Sequence, residues 1–316
     1  MSTLKIITTY QCTAQCDHCR FGCRTLPAPF IDEEMTLACI GTLLAENSLD
    51  YVVFLGGEPL VAPERLFRLV QATSAMGLGT RVETNGFWAT DEHRATTLLA
   101  PYAALGTHLM LSLDAFHAPY VPVERVAIAM RAADALQMGW SVETAFESKA
   151  RNSARDQETL ALIAQAEKML GKGIPQHFTG TVFCIGRAAR TLAPALAPGR
   201  GIPQERCTAV PWWYPAEIAD GKLWYLDADG YLSKGCGIVI GNIRHESTHD
   251  LMARFDAHAH PIFQILLEQG PRGLADLAIQ HGYHLKSDYA DRCQLCHEAR
   301  AVLQGVYPEF LVDGER

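Results

Sequence analysis

Cys12, Cys16 and Cys19 are spaced Cys-x3-Cys-x2-Cys, directly after the apolar, β-branched run Leu4–Tyr10. Three thiolates on one tight loop can ligate three irons of a four-iron cluster, leaving the fourth iron open to a small chelating ligand. Zinc is the competing reading, but zinc favours CxxC pairs and four protein ligands. A second motif, Gly56-Gly57-Glu58-Pro59, follows another short buried run, Tyr51–Leu55. Alone it would be a turn at a strand end. Two further polar groups close apolar runs: Glu83-Thr84-Asn85-Gly86 and Ser112-Leu113-Asp114. In α/β sheets and barrels, ligand-contacting residues gather at the carboxyl ends of strands.

Four late cysteines form the pattern Cys207-x28-Cys236-x56-Cys293-x2-Cys296, the ligand number of one fully protein-bound cluster. A four-thiolate zinc site and scattered buried cysteines are the alternatives, and Cys184 could stand in for Cys207. The start of the chain lacks a signal-peptide pattern, so the chain is expected in the cytoplasm. In that reducing compartment, metal or redox duty is the default reading of its ten cysteines. Cys23 and Cys39 read as packing residues. The histidines of the tail (His245, His249, His258, His260, His281 and His284) have no coherent ligand spacing.

The elements that must position these residues alternate. Strands are expected over Leu4–Tyr10, Tyr51–Leu55, Thr80–Thr84, His108–Leu113, Trp140–Phe146 and Phe178–Phe183. Between them lie helices over Asp32–Glu46, Pro63–Met76, Asp91–Leu99, Val123–Met138 and Arg155–Leu170. Asp32 is a plausible cap, and Pro63 suits a first helical turn. Strands alternating with helices imply an α/β fold with a parallel sheet and right-handed crossovers. Six units are too few to close an eight-stranded barrel, so the sheet should be open and curved. Beyond residue 190 the texture changes. Thr191–Pro203 reads as a linker or loop, Asp227-Ala228-Asp229-Gly230 marks a hairpin turn, and 247–305 reads as short amphipathic helices.

With 48% hydrophobic residues in 316, the chain can bury a full core. Its net charge of −8 comes with no basic run or stripe, so no nucleic-acid partner is expected. Nor is a membrane partner, because no uncharged apolar stretch is long enough to cross a bilayer.

The cysteine loop after the first strand, with the Gly56–Pro59 motif after the second, resembles the radical S-adenosylmethionine (SAM) superfamily over about residues 1–190. The resemblance implies a partial (β/α)6 TIM-like barrel with a [4Fe-4S] cluster on Cys12, Cys16 and Cys19. SAM would chelate the unique iron, and its reductive cleavage would give a 5′-deoxyadenosyl radical that abstracts hydrogen from a substrate. An external electron donor of the flavodoxin or ferredoxin type is implied. The glycines would let backbone carbonyls approach the methionine amine, and Glu58 would add negative charge. By the same resemblance Ser112 and Asp114 would contact the SAM ribose or carboxylate, and Asn85 closes a strand at the cofactor side. His18 holds the position of an aromatic residue near the adenine. His117 is open between a substrate contact and a structural role, and Glu143 and Thr144 between facing SAM and not.

The late cysteines and the hairpin at Leu226–Tyr231 resemble the SPASM and twitch auxiliary-cluster domains, which implies a second domain over 191–316 with one auxiliary [4Fe-4S] cluster. A Gly186-Arg187-Ala188 turn resembles the join between such domains and the barrel. Many such relatives modify ribosomally made peptides and others oxidise small molecules. Oxidative peptide modification is therefore expected first, although the sequence as given has no leader-binding module before its first strand. Dehydrogenation of an aminocyclitol or sugar-like molecule is the alternative. A non-catalytic iron–sulfur or zinc protein would not need Gly56–Pro59. A glycyl-radical activating enzyme would carry its extra cysteines early.

Overall fold

β-Branched and aromatic runs with Gly, Asp or Pro at their ends become strands, and the amphipathic stretches between them become the crossovers. In this computed structural model, residues 2–46, 49–174, 177–206, 223–234 and 237–312 are described. The strands are β1 (Thr3–Ile7), β2 (Tyr51–Leu55), β3 (Gly79–Thr84), β4 (His108–Ser112), β5 (Trp140–Phe146) and β6 (His177–Thr181). Helices α1 (Glu33–Ala45), α2 (Pro63–Ala75), α3 (Glu92–Ala104), α4 (Val123–Ala135) and α5 (Ala154–Leu170) connect them. All six strands pair in parallel in chain order, Leu4 opposite Val52 and Leu109 opposite Trp140. The sheet does not close. The fold is the open α/β partial barrel expected from the alternation.

Local chemistry sets the helix starts. Asp32 accepts from Met35 N, Asp91 from Arg94 N, and Ser153 forms a capping box with Asp156. Helix α3 runs to Ala104, past the end expected near Leu99, although it contains Pro101. Packing outweighs the proline there: Tyr102 is buried and its hydroxyl reaches Pro63 O at 3.1 Å.

The stretch after residue 186 is helical up to and into the loop expected over Thr191–Pro203. It winds into two short helices, α6 (Arg187–Thr191) and α7 (Ala193–Leu196). β7 (Leu223–Leu226) then adds to the sheet in parallel with β1, and β8 (Tyr231–Ser233) and β9 (Val239–Asn242) follow antiparallel. The order is β6-β5-β4-β3-β2-β1-β7-β8-β9, so the expected hairpin extends the main sheet. Its turn is held by Asp227 Oδ1, which accepts from Asp229 N and Tyr231 N, with Gly230 at φ +88°. Helices α8 (Thr248–Arg254), α9 (Pro261–Glu268), α10 (Gly270–Ile279) and α11 (Arg292–Leu303) complete the chain. Among the described residues no helix is long and apolar enough to cross a membrane.

The two faces of the strands differ. Leu4, Ile6, Val52, Phe54, Val82, Leu109, Leu111 and Val142 are buried on the helix side. The alternate positions Lys5, Tyr51, Val53, Arg81, Glu83, His108, Met110, Ser112 and Glu143 line a cavity of about 1150 Å³ inside the curve. The apolar layer carries the stability and leaves the inner face free for polar residues. Replacing Phe54, which is fully buried, with Ala should cost roughly 3–5 kcal/mol. Urea unfolding would read this as an earlier midpoint with an unchanged slope. A change under about 1 kcal/mol would place that core layer elsewhere.

Candidate active site

Cys12, Cys16 and Cys19 lie on a loop that leaves β1 and returns beside it. Cys12 N donates to Arg24 O at 2.8 Å and Arg24 N to Tyr10 O at 3.1 Å, pinning the base of the loop. Within it, Cys19 N reaches Cys16 O at 3.1 Å. All three cysteines and Cys23 line the cavity.

Gly56 and Gly57 sit against this loop. Gly57 N donates to Thr9 O at 2.7 Å, and Glu58 N to Gln11 O at 2.8 Å. A Cβ at Gly56, whose φ is +146°, would stand 2.6 Å from Thr9 O, and one at Gly57 would collide with Gln11 O. Glycine is required because backbone meets backbone. Gly56 and Gly57 line the cavity, and Glu58 and Pro59 do not. Pro59 is buried and opens a single turn of 3-10 helix, Pro59–Val61.

Glu58 is fully buried, and its carboxylate is consumed within the protein. Oε1 accepts from Leu60 N at 3.0 Å and Thr84 Oγ1 at 2.8 Å, and Oε2 accepts from Asn85 N at 2.8 Å. Glu58 thus ties the turn after β2 to the end of β3. Asn85 in turn donates from Nδ2 to Thr13 Oγ1 at 3.0 Å and approaches Cys12 Sγ at 3.9 Å. The charge that sequence reasoning aimed at a ligand amine therefore braces the cysteine loop.

Ser112 lines the cavity at the end of β4. Asp114, two residues on, also borders it, but its acceptors are occupied. Oδ1 takes Phe116 N at 2.9 Å, His117 N at 3.0 Å and His117 Nδ1 at 2.9 Å, while Oδ2 takes Ala145 N at 3.2 Å. Burial works against both charges of the Asp114–His117 pair, and their attraction outweighs it. Asp114 is held well below the usual carboxylate range and His117 well above the usual imidazole range. His117 in turn hydrogen-bonds Cys16, and it lines the cavity beside Cys16 and His18. His18 stacks on Phe116 with ring centroids 4.6 Å apart. Burial lowers it to about 4, and its Nδ1 is buried without a hydrogen-bond partner.

Two contributors escaped the sequence reading. Arg187, after Gly186, clamps the cysteine loop. Its Nη1 donates to Cys16 O at 3.0 Å, Nη2 to Gly22 O at 3.5 Å and to Cys23 O, and its backbone N to Cys19 O at 2.9 Å. A Cβ at Gly186, with φ +56°, would stand 2.9 Å from Cys19 O, so the glycine permits the close approach. The Gly-Arg pair before a helix was the signal in the sequence, but nothing there named its target. The second is Cys23, whose thiol hydrogen-bonds Cys19. That bond, opposed by burial, brings Cys19 down to about 6, while burial and then Glu58 push Cys12 up to about 12.

The late cysteines are only partly described, since Cys207 and Cys236 lie outside the described residues. Cys293 and Cys296 occupy the first turns of α11, three apart and so on one helix face. The α11 cap, Asp291, accepts from Gln294 N and, at 3.0 Å, from Cys184 N. Cys39 is buried in the core, as its packing role required.

Burial raises Glu58 to about 7, despite the N–H groups that favour its charge. A carboxyl raised in the folded state favours folding at low pH and loses that contribution as pH climbs from its ordinary value toward about 7. The wild type should lose roughly 3 kcal/mol over that window that Glu58→Gln does not lose. Denaturant unfolding across the pH series checks this, and parallel curves for the two proteins would contradict it.

No curated protein matches the chain by sequence. Its fold is similar to that of native anSMEcpe with bound AdoMet, at TM-score 0.55 and 11% identity, covering 97% of each chain. Native anSMEcpe with bound AdoMet and Kp18Cys peptide gives TM-score 0.54 and 12% identity, again covering 97% of each chain. BtrN in complex with AdoMet and 2-DOIA gives TM-score 0.45 and 15% identity, covering 86% of this chain and 89% of that one. At such identities the likeness is one of fold. The family model of the radical SAM superfamily matches residues 6–138, which span the cysteine loop, the Gly56–Pro59 turn and the ends of β3 and β4. The chain therefore carries a radical SAM superfamily domain over residues 6–138.

Proposed function

We propose that Cys12, Cys16 and Cys19 hold a [4Fe-4S] cluster and that SAM binds beside it in the cavity. The observation that carries this reading is the cysteine loop lining the cavity, held in place by Gly56–Glu58. The residues suit both groups. Three thiols within eight residues match the protein ligands of a cluster with one open iron. His18, whose buried Nδ1 has no hydrogen-bond partner within the protein, lines the cavity. Ser112 adds a hydroxyl to the cavity lining at the end of β4. With both groups bound, they supply reductive SAM cleavage and hydrogen abstraction from a substrate.

The chain's own residues do the positioning. Arg187 and Asn85 hold the loop, and Arg187 brings positive charge to the carbonyls of Cys16 and Cys23. The Cys23 hydrogen bond to Cys19 favours the thiolate that a metal requires. The electron comes from outside, from a flavodoxin- or ferredoxin-type donor.

We further assign residues 191–316 to an auxiliary domain, although β7–β9 continue the barrel sheet. Cys293 and Cys296, with Cys207 and Cys236, would bind a second [4Fe-4S] cluster. Support comes from the shared face of Cys293 and Cys296 at a helix N-terminus, which favours an anionic group. An auxiliary cluster suits an oxidative reaction, because it can take the electron that remains after hydrogen abstraction. Modification of a ribosomally made peptide is the preferred reaction. Oxidation of an aminocyclitol or sugar-like small molecule is the second.

The test is anaerobic reconstitution. The wild type should form 5′-deoxyadenosine from SAM and reductant, and the Cys12/Cys16/Cys19→Ala triple variant should form none. Product from the triple variant would overturn the assignment. Iron should approach eight per chain, two clusters of four. About four irons with one zinc would make the late cysteines a structural site. Arg187→Ala removes hydrogen bonds from a charged group, each worth about 1.5–3 kcal/mol, and should speed iron loss to a chelator by at least about tenfold. An unchanged rate would remove the clamp from the account.

A further inference from the structure

We propose that the substrate carries a protonated amine and that Glu143, on the inner face of β5, is the carboxylate that receives it. This rests on the reading of the cavity as the substrate site and adds the chemical class of what enters.

Glu143 is exposed, yet it stands in the middle of β5 between the buried residues Val142 and Thr144. The surface it exposes is therefore the cavity's. The other carboxylates around the site are already engaged. Glu83 takes Arg81 Nη2 at 2.7 Å, Asp114 takes His117, and Glu58 takes Leu60, Thr84 and Asn85. Among the described residues no hydrogen bond or ion pair within 4 Å engages the Glu143 carboxylate. Ser112 lies directly opposite it on β4, so a hydroxyl acceptor stands beside the carboxylate on the same wall.

Electrostatics favour the same ligand. Burial, and next the Glu83 carboxylate, push Glu143 up, and the charges of Arg20, Lys5 and Arg81 offset this only in part. A carboxylate pushed up by burial and by a like charge gains most from a cation that brings its own hydrogen-bond donors. An ammonium group does this with three N–H donors. A neutral hydroxyl would bring no charge to offset the Glu83–Glu143 repulsion further, and an anion would add to it.

The amine can come from a small molecule or from a lysine of a peptide. The reconstituted holoprotein with SAM would be titrated with glucamine against its neutral counterpart sorbitol. A second pair is acetyl-Gly-Lys-Gly-amide against the peptide with norleucine in place of lysine. One amine should bind about 10- to 100-fold more tightly than its neutral partner, and the pair that shows the preference identifies the source. Glu143→Gln should abolish that preference, and Glu143→Asp should keep part of it. The inference falls if neither amine is preferred, if the preference survives Glu143→Gln, or if Glu143→Gln weakens SAM binding instead. Formation of 5′-deoxyadenosine by the wild type in the same preparation separates the two levels. Without it the family-based function fails, and with it only the amine assignment is at stake.

Discussion

The site depends on one backbone contact, the packing of Gly56 and Gly57 against Thr9–Gln11. No side chain fits between the two segments, and two N–H groups close the gap at 2.7 and 2.8 Å. That contact brings the turn after β2 against the start of the cysteine loop. Glu58 then extends the brace to the end of β3 through Thr84 and Asn85, and Asn85 returns to Thr13 within the loop. Arg187 grips the far side of the loop through three of its carbonyls. A short loop rich in thiols would otherwise be free to move, and these braces fix its shape before any metal arrives.

The same economy governs the sheet. Parallel strands covered on both faces are usually continuous apolar runs. Here the helix-facing positions are apolar throughout, while Lys5, Arg81, Glu83, His108 and Glu143 face inward among the apolar Val53 and Met110. Charges on the inside of a fold cost stability unless they are paired or hydrated. Glu83 meets that condition through Arg81, and His108 through Ser141 at 2.8 Å. Glu143 is the departure, and such departures gather at binding sites.

Much of this was legible in the sequence. The limits of β2 and β5 are those expected from their apolar runs, and Asp32, Asp91 and Asp227 act as local chemistry requires. The cysteine loop and Gly56–Gly57 were legible because their spacing and residue types have few other uses. What stayed hidden depends on contacts far apart in sequence. Arg187 meets Cys16 from 171 positions away, and Glu58 turned inward because Asn85 and Thr84 offer it donors. The charged inner face was visible as charged residues inside the β3 and β5 runs, but only the curvature of the sheet turns them into a cavity lining. Likewise α6 and α7 form in a segment rich in Ala and Pro because they dock under the cysteine loop, with Thr191 on Asp17 O at 2.7 Å.

The central claim is that three thiolates leave one iron open for SAM. Mössbauer spectra of the anaerobically reconstituted protein, taken with and without SAM, test it most directly. The account predicts that SAM shifts a single iron site toward higher coordination and leaves the rest unchanged. Identical spectra with and without SAM, in protein carrying its full iron, would contradict it.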